Sequence, residues 1–197
     1  MGAELRRRAV HASGVGFPAL YLLGLVEWRT LGYLLVVGSA VAAGLEVVRL
    51  LVGLDWAVYE TLTREYERDN VAGYALYMFS MTAVAWAFDP LIAVPGMLML
   101  VIGDPVSGLL GSNDAGRAKR AGVLAAMFVV CFSLATLVLV RGAALPRALL
   151  AAAVGAAGAT VADGYTPVVR GYVLDDNLTI PPVACLGIWL VLRGLGG

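Results

Sequence analysis

An aspartate followed by a proline interrupts an apolar stretch of the chain, in the segment GDPVSGLLG at positions 103–111. A carboxylate at the centre of a membrane helix costs at least ~2.5 kcal/mol, so Asp104 is a candidate functional residue. Asp is also a strong helix N-cap, and Pro105 suits the first helical position because it has no N–H to leave unpaired. The segment therefore predicts either a functional acid or a cap that restarts a helix after a break near Gly103 to Pro105.

A helix that begins at Asp104 would place Ser107, Gly108 and Gly111 on one face, three, four and seven residues further on. Its first N–H groups would be free, and its positive dipole end would favour a phosphate. Gly103, Ser107 and Gly108 are therefore candidate phosphate-binding residues.

The composition indicates a polytopic helical membrane protein with one domain, residues 1–197. Hydrophobic residues make up 60% of the chain and charged residues 14%, and the mean hydropathy is +0.85. A helix needs about 20 apolar residues to cross a bilayer. We therefore expect an all-α fold with about seven transmembrane helices, at 12–27, 30–53, 71–88, 91–111, 121–140, 145–162 and 178–195. Cys131 and Cys185 fall in these apolar segments, so no disulfide or metal framework is expected.

The basic residues are distributed unevenly between the two ends of these spans. Ten share the side of the N-terminus, namely Arg6, Arg7, Arg8, Arg49, Arg64, Arg68, Arg117, Lys119, Arg120 and Arg170. Four lie on the other side, namely Arg29, Arg141, Arg147 and Arg193. The positive-inside rule then places the N-terminus in the cytoplasm. Because most acids follow the same division, we expect the chemistry at the cytoplasmic face.

Several polar residues on that side have two interpretations each. Arg7 and Arg8 precede His11, the one histidine of the chain, and they are either topology anchors or part of a site. Glu46 and Arg49 are three residues apart, so they form an intrahelical pair or face a polar cavity shared with Asp104.

Three more positions complete the set of candidates. Lys119, the one lysine of the chain, follows Asp104 across a short loop and could meet a phosphate as a point charge. Asp163 continues a stripe of small residues that permits close helix contact, namely Ala151, Gly155 and Ala159. Asp176 and Asn177 stand at the mouth of the last span, where oxygen ligands could hold Mg²⁺.

Five motifs occur in an order that resembles the CTP-dependent polyprenol kinases, which include dolichol kinase, phytol kinase and the CTP-dependent diacylglycerol kinase. RRAVH at 7–11 is similar to the family's R-K-x-x-H, and EVVR at 46–49 to its E-x-x-R. GDPVSGLLG at 103–111 is similar to G-D-x-x-A-x-x-x-G, and DNLTIP at 176–181 to D-N-[LF]-x-[IV]-P. KRAG at 119–122 resembles K-[ST]-x-E-G but lacks its hydroxyl and its acid.

The resemblance implies transfer of the γ-phosphate of CTP, or another nucleoside triphosphate, to an isoprenoid alcohol such as dolichol or a shorter polyprenol. It implies Mg²⁺ at Asp104 and Asp176, and a membrane lipid rather than a nucleic acid as partner. Further roles follow from this interpretation. Arg7, Arg49 and Lys119 would compensate phosphate charge, and Arg8 and Glu46 would belong to the nucleotide site. Asn177 would orient polar head groups, and His11 or Asp163 would accept the hydroxyl proton.

Two other functions fit parts of the pattern. A lipid cytidylyltransferase also joins CTP to membrane lipids, but the Lys/Asp/Gly-rich C-terminal signature of that family is missing here. A small transporter would also use broken helices and buried charges. Its expected inverted repeat is not evident, and the charges gather at one face.

Overall fold

The chain is helical in a computed structural model that describes residues 9–53, 59, 63, 67–68, 70–111, 117–169 and 172–194. The helices are α1 (Gly16–Leu22), α2 (Trp28–Val52), α3 (Gly73–Ala87), α4 (Pro90–Leu110), α5 (Ala121–Leu139), α6 (Leu145–Gly164) and α7 (Asp176–Gly194). Strands β1 (Val168–Val169) and β2 (Tyr172–Val173) pair antiparallel between α6 and α7, with Val168 opposite Val173. The last five residues of α2, Val48–Val52, are π-helical.

The all-α class is confirmed, and five of the predicted spans are helices long and apolar enough to cross a membrane, namely α2, α4, α5, α6 and α7. The count of seven is not confirmed. The segment 12–27 contains the seven-residue helix α1, and 71–88 contains α3, which has 15 residues. Both helices are shorter than the ~20 residues that a straight span requires.

Helix α4 forms the centre of the bundle. Of its apolar window 83% is buried, against 17% for α2. Close approach of the neighbouring helices depends on small residues. A Cβ on Gly103 would lie 2.8 Å from Cys131 Sγ of α5, and a Cβ on Gly96 would meet Cys185 of α7. Both cysteines are free and buried, as expected.

The small-residue stripe of α6 packs against α7, as its spacing predicts. Ala151, Gly155 and Ala159 are buried. A Cβ on Gly155 would lie 2.6 Å from Cγ1 of Ile188. The stripe thus brings the end of α6 close to the start of α7, where acids of both helices lie.

The predicted break at Gly103 to Pro105 is wrong, because the helix runs through this segment. Residues Met99–Gly103 form a π-helical turn, and Gly103 and Asp104 both have right-handed helical backbone angles. Asp104 makes no capping bond, so the predicted helix start with free N–H groups does not exist. A proline inside a helix removes one N–H donor and crowds the carbonyl four residues earlier, and a π turn changes the register around it.

Candidate functional site

Three carboxylates from three helices meet at one end of the molecule. Asp104 lies in α4, Asp163 near the end of α6 and Asp176 at the start of α7. One carboxylate oxygen of each lies within 4.8 Å of the other two, and all three residues are buried. Like charges this close repel one another unless a cation or a proton neutralises them. The three acids therefore form a candidate metal centre.

Lys119 and Ser107 hold the two oxygens of Asp163. Lys119 Nζ donates to Asp163 Oδ1 at 2.7 Å and to Ser107 Oγ at 3.0 Å. Ser107 Oγ donates to Asp163 Oδ2 at 2.6 Å. The backbone N–H of Lys119 also donates to the carbonyl of Gly164 at 3.0 Å, which fixes this segment to the end of α6. Lys119, which the sequence predicts as a phosphate contact, therefore forms a buried ion pair with Asp163.

His11 lies beside Asp104. Its Nε2 is 3.5 Å from Asp104 Oδ2 and 3.1 Å from the carbonyl oxygen of Leu100. Because the carboxylate and the carbonyl are both acceptors, Nε2 carries a proton in this arrangement, and a base role for His11 would have to use Nδ1. The ring of Tyr77 meets the imidazole edge-on, with the centroids 4.7 Å apart.

The start of α7 is fixed by its own acids. The backbone N–H of Asn177 donates to Asp175 Oδ1 at 2.9 Å and to Asp176 Oδ1 at 3.0 Å. Carboxylates at a helix N-terminus satisfy free N–H groups and interact favourably with the dipole. Ser80 of α3 donates to the carbonyl of Asn177 at 2.6 Å, so α3 and α7 are joined beside the carboxylates. The predicted last span begins two residues earlier than expected, at Asp176.

The carboxylate cluster fits Mg²⁺ by its chemistry. Mg²⁺ prefers oxygen ligands at 2.0–2.1 Å, so two ligands on opposite sides of the ion lie ~4.2 Å apart. Asp104 Oδ1 is buried and has no hydrogen-bond partner within the part of the chain that the structure describes. Native proteins rarely leave such an atom unpaired, and a bound cation would give it a partner. Asp104, Asp163 and Asp176 are therefore the residues that would hold the ion.

Glu46 and Arg49 form the intrahelical pair that their spacing allows. Arg49 donates to both Glu46 oxygens, at 3.0 and 2.7 Å. It also donates to the carbonyls of Glu67 at 3.1 Å, Arg68 at 2.9 Å and Asn70. A guanidinium has five N–H donors, and these bonds use all of them. Glu46 in turn accepts from the backbone N–H of Ala72 at 2.9 Å, so the pair clamps the loop before α3.

The remaining predicted residues have different positions. Gly103 faces Met127 and Cys131 of α5, where its missing side chain allows close helix packing. Gly108 is buried one turn after Asp104. Arg7 and Arg8 lie outside the described residues.

Tyr77 and Glu67 belong near this site, and their signals in the sequence are weak. Tyr77 lies one turn of α3 after Gly73 and looks like an ordinary apolar-helix tyrosine. Glu67 is buried, and its Oε1 would lie 3.2 Å from a Cβ placed on Gly73. Gly73 lies four residues before Tyr77, and its missing side chain leaves space for Asn177.

Comparison with protein-family models, curated proteins and solved structures finds no match for this chain.

Proposed function

We propose that the chain is a membrane lipid kinase that transfers the γ-phosphate of CTP, or a related nucleoside triphosphate, to an isoprenoid alcohol. The observation that carries this proposal is the convergence of Asp104, Asp163 and Asp176 in one buried cluster. Two of these acids belong to the motifs that resemble the CTP-dependent polyprenol kinases. The same cluster holds Ser107 and Lys119 from two of those motifs, and His11 from a third.

The proposed step is a single displacement at phosphorus. The alcohol oxygen attacks the γ-phosphorus and forms a new P–O bond, while the bond to the bridging oxygen of the β-phosphate breaks. The electron pair leaves with the nucleoside diphosphate. The hydroxyl proton passes to a side chain of the site, and the candidates are His11, through Nδ1, and Asp163. The loose transition state of phosphoryl transfer demands positioning and charge stabilisation more than covalent help.

Asp104, Asp163 and Asp176 would hold Mg²⁺, and the ion would supply positive charge against the phosphate groups of the nucleotide. Lys119 orients Asp163 through their ion pair. An ammonium has three N–H donors, and two of them are used within the described site, so one remains for a phosphate oxygen. His11 fixes the orientation of Asp104 from the other side.

The placement of the site supports substrates of two kinds. The carboxylates lie where α4 and α6 end and α7 begins, at one end of a bundle with five apolar helices. A water-soluble nucleotide would reach this end from the aqueous phase. A lipid alcohol would reach it sideways from the bilayer, with its hydroxyl at the same depth.

Purified protein with labelled CTP and an isoprenoid alcohol tests the proposal. We expect label from the γ-phosphate in the lipid, a dependence on Mg²⁺, and no transfer with EDTA. Label from the α-phosphate would instead identify a cytidylyltransferase. Substrate flux into liposomes without nucleotide, together with no labelled lipid, would identify a transporter and reject the kinase.

A further inference from the structure

A small cavity lies next to the carboxylate cluster, between the N-terminal segment and the start of α3. Its volume is about 200 Å³. Its walls are largely apolar, and the residues that matter here are Val10, His11, Phe17, Tyr77, Met78 and Asn177. His11 lines this cavity and lies 3.5 Å from Asp104, so one side chain separates the cavity from the candidate metal centre.

Two polar atoms of the lining residues are buried without hydrogen-bond partners among the described residues. They are the hydroxyl of Tyr77 and the Oδ1 of Asn177. The Asn177 amide nitrogen donates to Asp175 Oδ1 at 2.6 Å, which assigns the remaining atom of the amide as an acceptor oxygen. The cavity is therefore lined by one residue with an unused donor and one with an unused acceptor. Buried polar atoms without partners are rare in proteins, and they often mark a place where a ligand or an ordered water binds.

Two glycines leave the space that the side chains of Tyr77 and Asn177 occupy. A Cβ on Gly14 would overlap the hydroxyl oxygen of Tyr77. A Cβ on Gly73 would lie 2.9 Å from the amide nitrogen of Asn177. The chain thus has no side chain at the two positions where one would displace Tyr77 or Asn177.

We propose that this cavity binds the hydroxyl end of the acceptor lipid. The lipid hydroxyl would donate to Asn177 Oδ1 and accept from the Tyr77 hydroxyl, since an alcohol can do both at one oxygen. The inference rests on the proposed function only for the phosphorylation of the bound hydroxyl. Binding of the alcohol itself requires no nucleotide.

The size of the cavity agrees with the head of such a lipid. A single water needs only ~10–15 Å³ of such volume, so about 200 Å³ leaves room for a group much larger than one water. A first isoprene unit with its hydroxyl has five carbons and one oxygen. The rest of the lipid would leave past Val10 and Ser13, which are exposed at the rim.

The test uses the full-length protein in detergent and an isoprenoid alcohol that carries a photoreactive group near its hydroxyl. We expect cross-links in the segments 10–17 and 73–78, competition by the unlabelled alcohol, and no competition by its methyl ether. Tyr77→Phe should weaken binding of the alcohol about threefold to tenfold, because one hydrogen bond is lost. Its thermal stability without ligand should stay equal or rise, since the substitution removes an unpaired buried hydroxyl.

Tyr33→Phe is the matched control. Its hydroxyl pairs with Arg29 near the start of α2, and the substitution should leave alcohol binding unchanged. Gly14→Ala is a second test, which should block the cavity and weaken binding further. In kinetic assays Tyr77→Phe should raise KM for the alcohol and leave KM for CTP as it is.

The outcomes separate this inference from the proposed kinase. Phosphorylation of the alcohol with cross-links elsewhere, for example in the 620 Å³ cavity lined by Trp28, Trp86 and Trp189, would overturn the cavity assignment alone. Equal competition by the alcohol and its methyl ether would also overturn it, because water would then be the partner of Tyr77. Cross-links at 10–17 and 73–78 without phosphoryl transfer would support the cavity and reject the kinase.

Discussion

Asp104 belongs to the candidate metal centre and lies beside His11, which lines the small cavity. One of its oxygens lies beside His11, and the other is buried without a partner among the described residues. A cap role does not fit, because the backbone is helical on both sides of it. Asp104 must therefore have a role other than helix capping.

Asp104→Asn removes the charge and keeps the shape. We expect a folded protein whose phosphoryl transfer falls at least ~100-fold, the scale of losing one group that stabilises charge in the transition state. Labelled lipid product and a thermal melt measure the two effects. Asp89→Asn is the control, since Asp89 forms an exposed pair with Arg193 at 2.9 Å. Near-normal turnover in Asp104→Asn would show that the acid is not part of the reaction.

The Lys119–Asp163 pair allows a test on stability. The two side chains are 4% and 0% exposed, so Lys119→Met would leave a buried carboxylate without its cation. We expect a loss of about 3–5 kcal/mol in the free energy of unfolding. Lys119→Met combined with Asp163→Asn should lose less than Lys119→Met alone. A double variant that is less stable than the single one would contradict a buried ion pair.

The sequence identified the acids of the site but not all of its neighbours. Asp104 and Asp163 were recognisable because ionisable residues are costly in apolar spans. Tyr77 was not, since a tyrosine in an apolar helix is common and its missing partner is visible only in three dimensions. The contacts of Arg49 with the loop carbonyls were not predictable either, because loop carbonyls follow no periodic pattern.

At the scale of the elements, the Glu46–Arg49 clamp fixes the loop before α3 to the end of α2. Arg49→Ala would release three loop carbonyls and leave Glu46 without its cation. We expect a loss of about 3 kcal/mol or more in stability and faster hydrogen exchange at residues 67–72. Arg49→Lys should restore little, because an ammonium cannot reproduce the fork of donors.

Arg193→Ala provides the matched control for this clamp. Its pair with Asp89 is more than 60% exposed on both sides, so we expect a change within ~1 kcal/mol. Equal losses in Arg49→Ala and Arg193→Ala would contradict the clamp. If Arg49→Ala had normal stability and a raised KM for CTP, the result would indicate that Arg49 binds the nucleotide.

The helices themselves were largely predictable, and the failures have physical causes. Long apolar runs predicted α2, α4, α5, α6 and α7, because membrane helices are specified by length and hydropathy. The Asp104-Pro105 pair predicted a break because an aspartate before a proline usually marks an N-cap and the first position of a new helix. A π turn precedes the same proline inside a continuous helix.

At the scale of the whole molecule, the polar contacts cluster at one end of the bundle. Arg29, Arg147 and Arg193 lie at the opposite end, near the start of α2, the start of α6 and the end of α7. From the positive-inside rule we propose that the carboxylate end faces the cytoplasm. Single cysteines in a background without Cys131 and Cys185 test this orientation. We expect labelling of positions 68 and 117 only after the membrane is permeabilised, and labelling in intact cells would reverse the topology.

We propose that Asp104, Asp163 and Asp176 together bind one divalent cation. Mn²⁺ takes the oxygen ligands that Mg²⁺ takes, and its binding to the purified protein can be counted by electron paramagnetic resonance. We expect one saturable site in the wild type, its loss in Asp104→Asn, and its retention in Asp89→Asn. Undiminished Mn²⁺ binding by Asp104→Asn would contradict the claim.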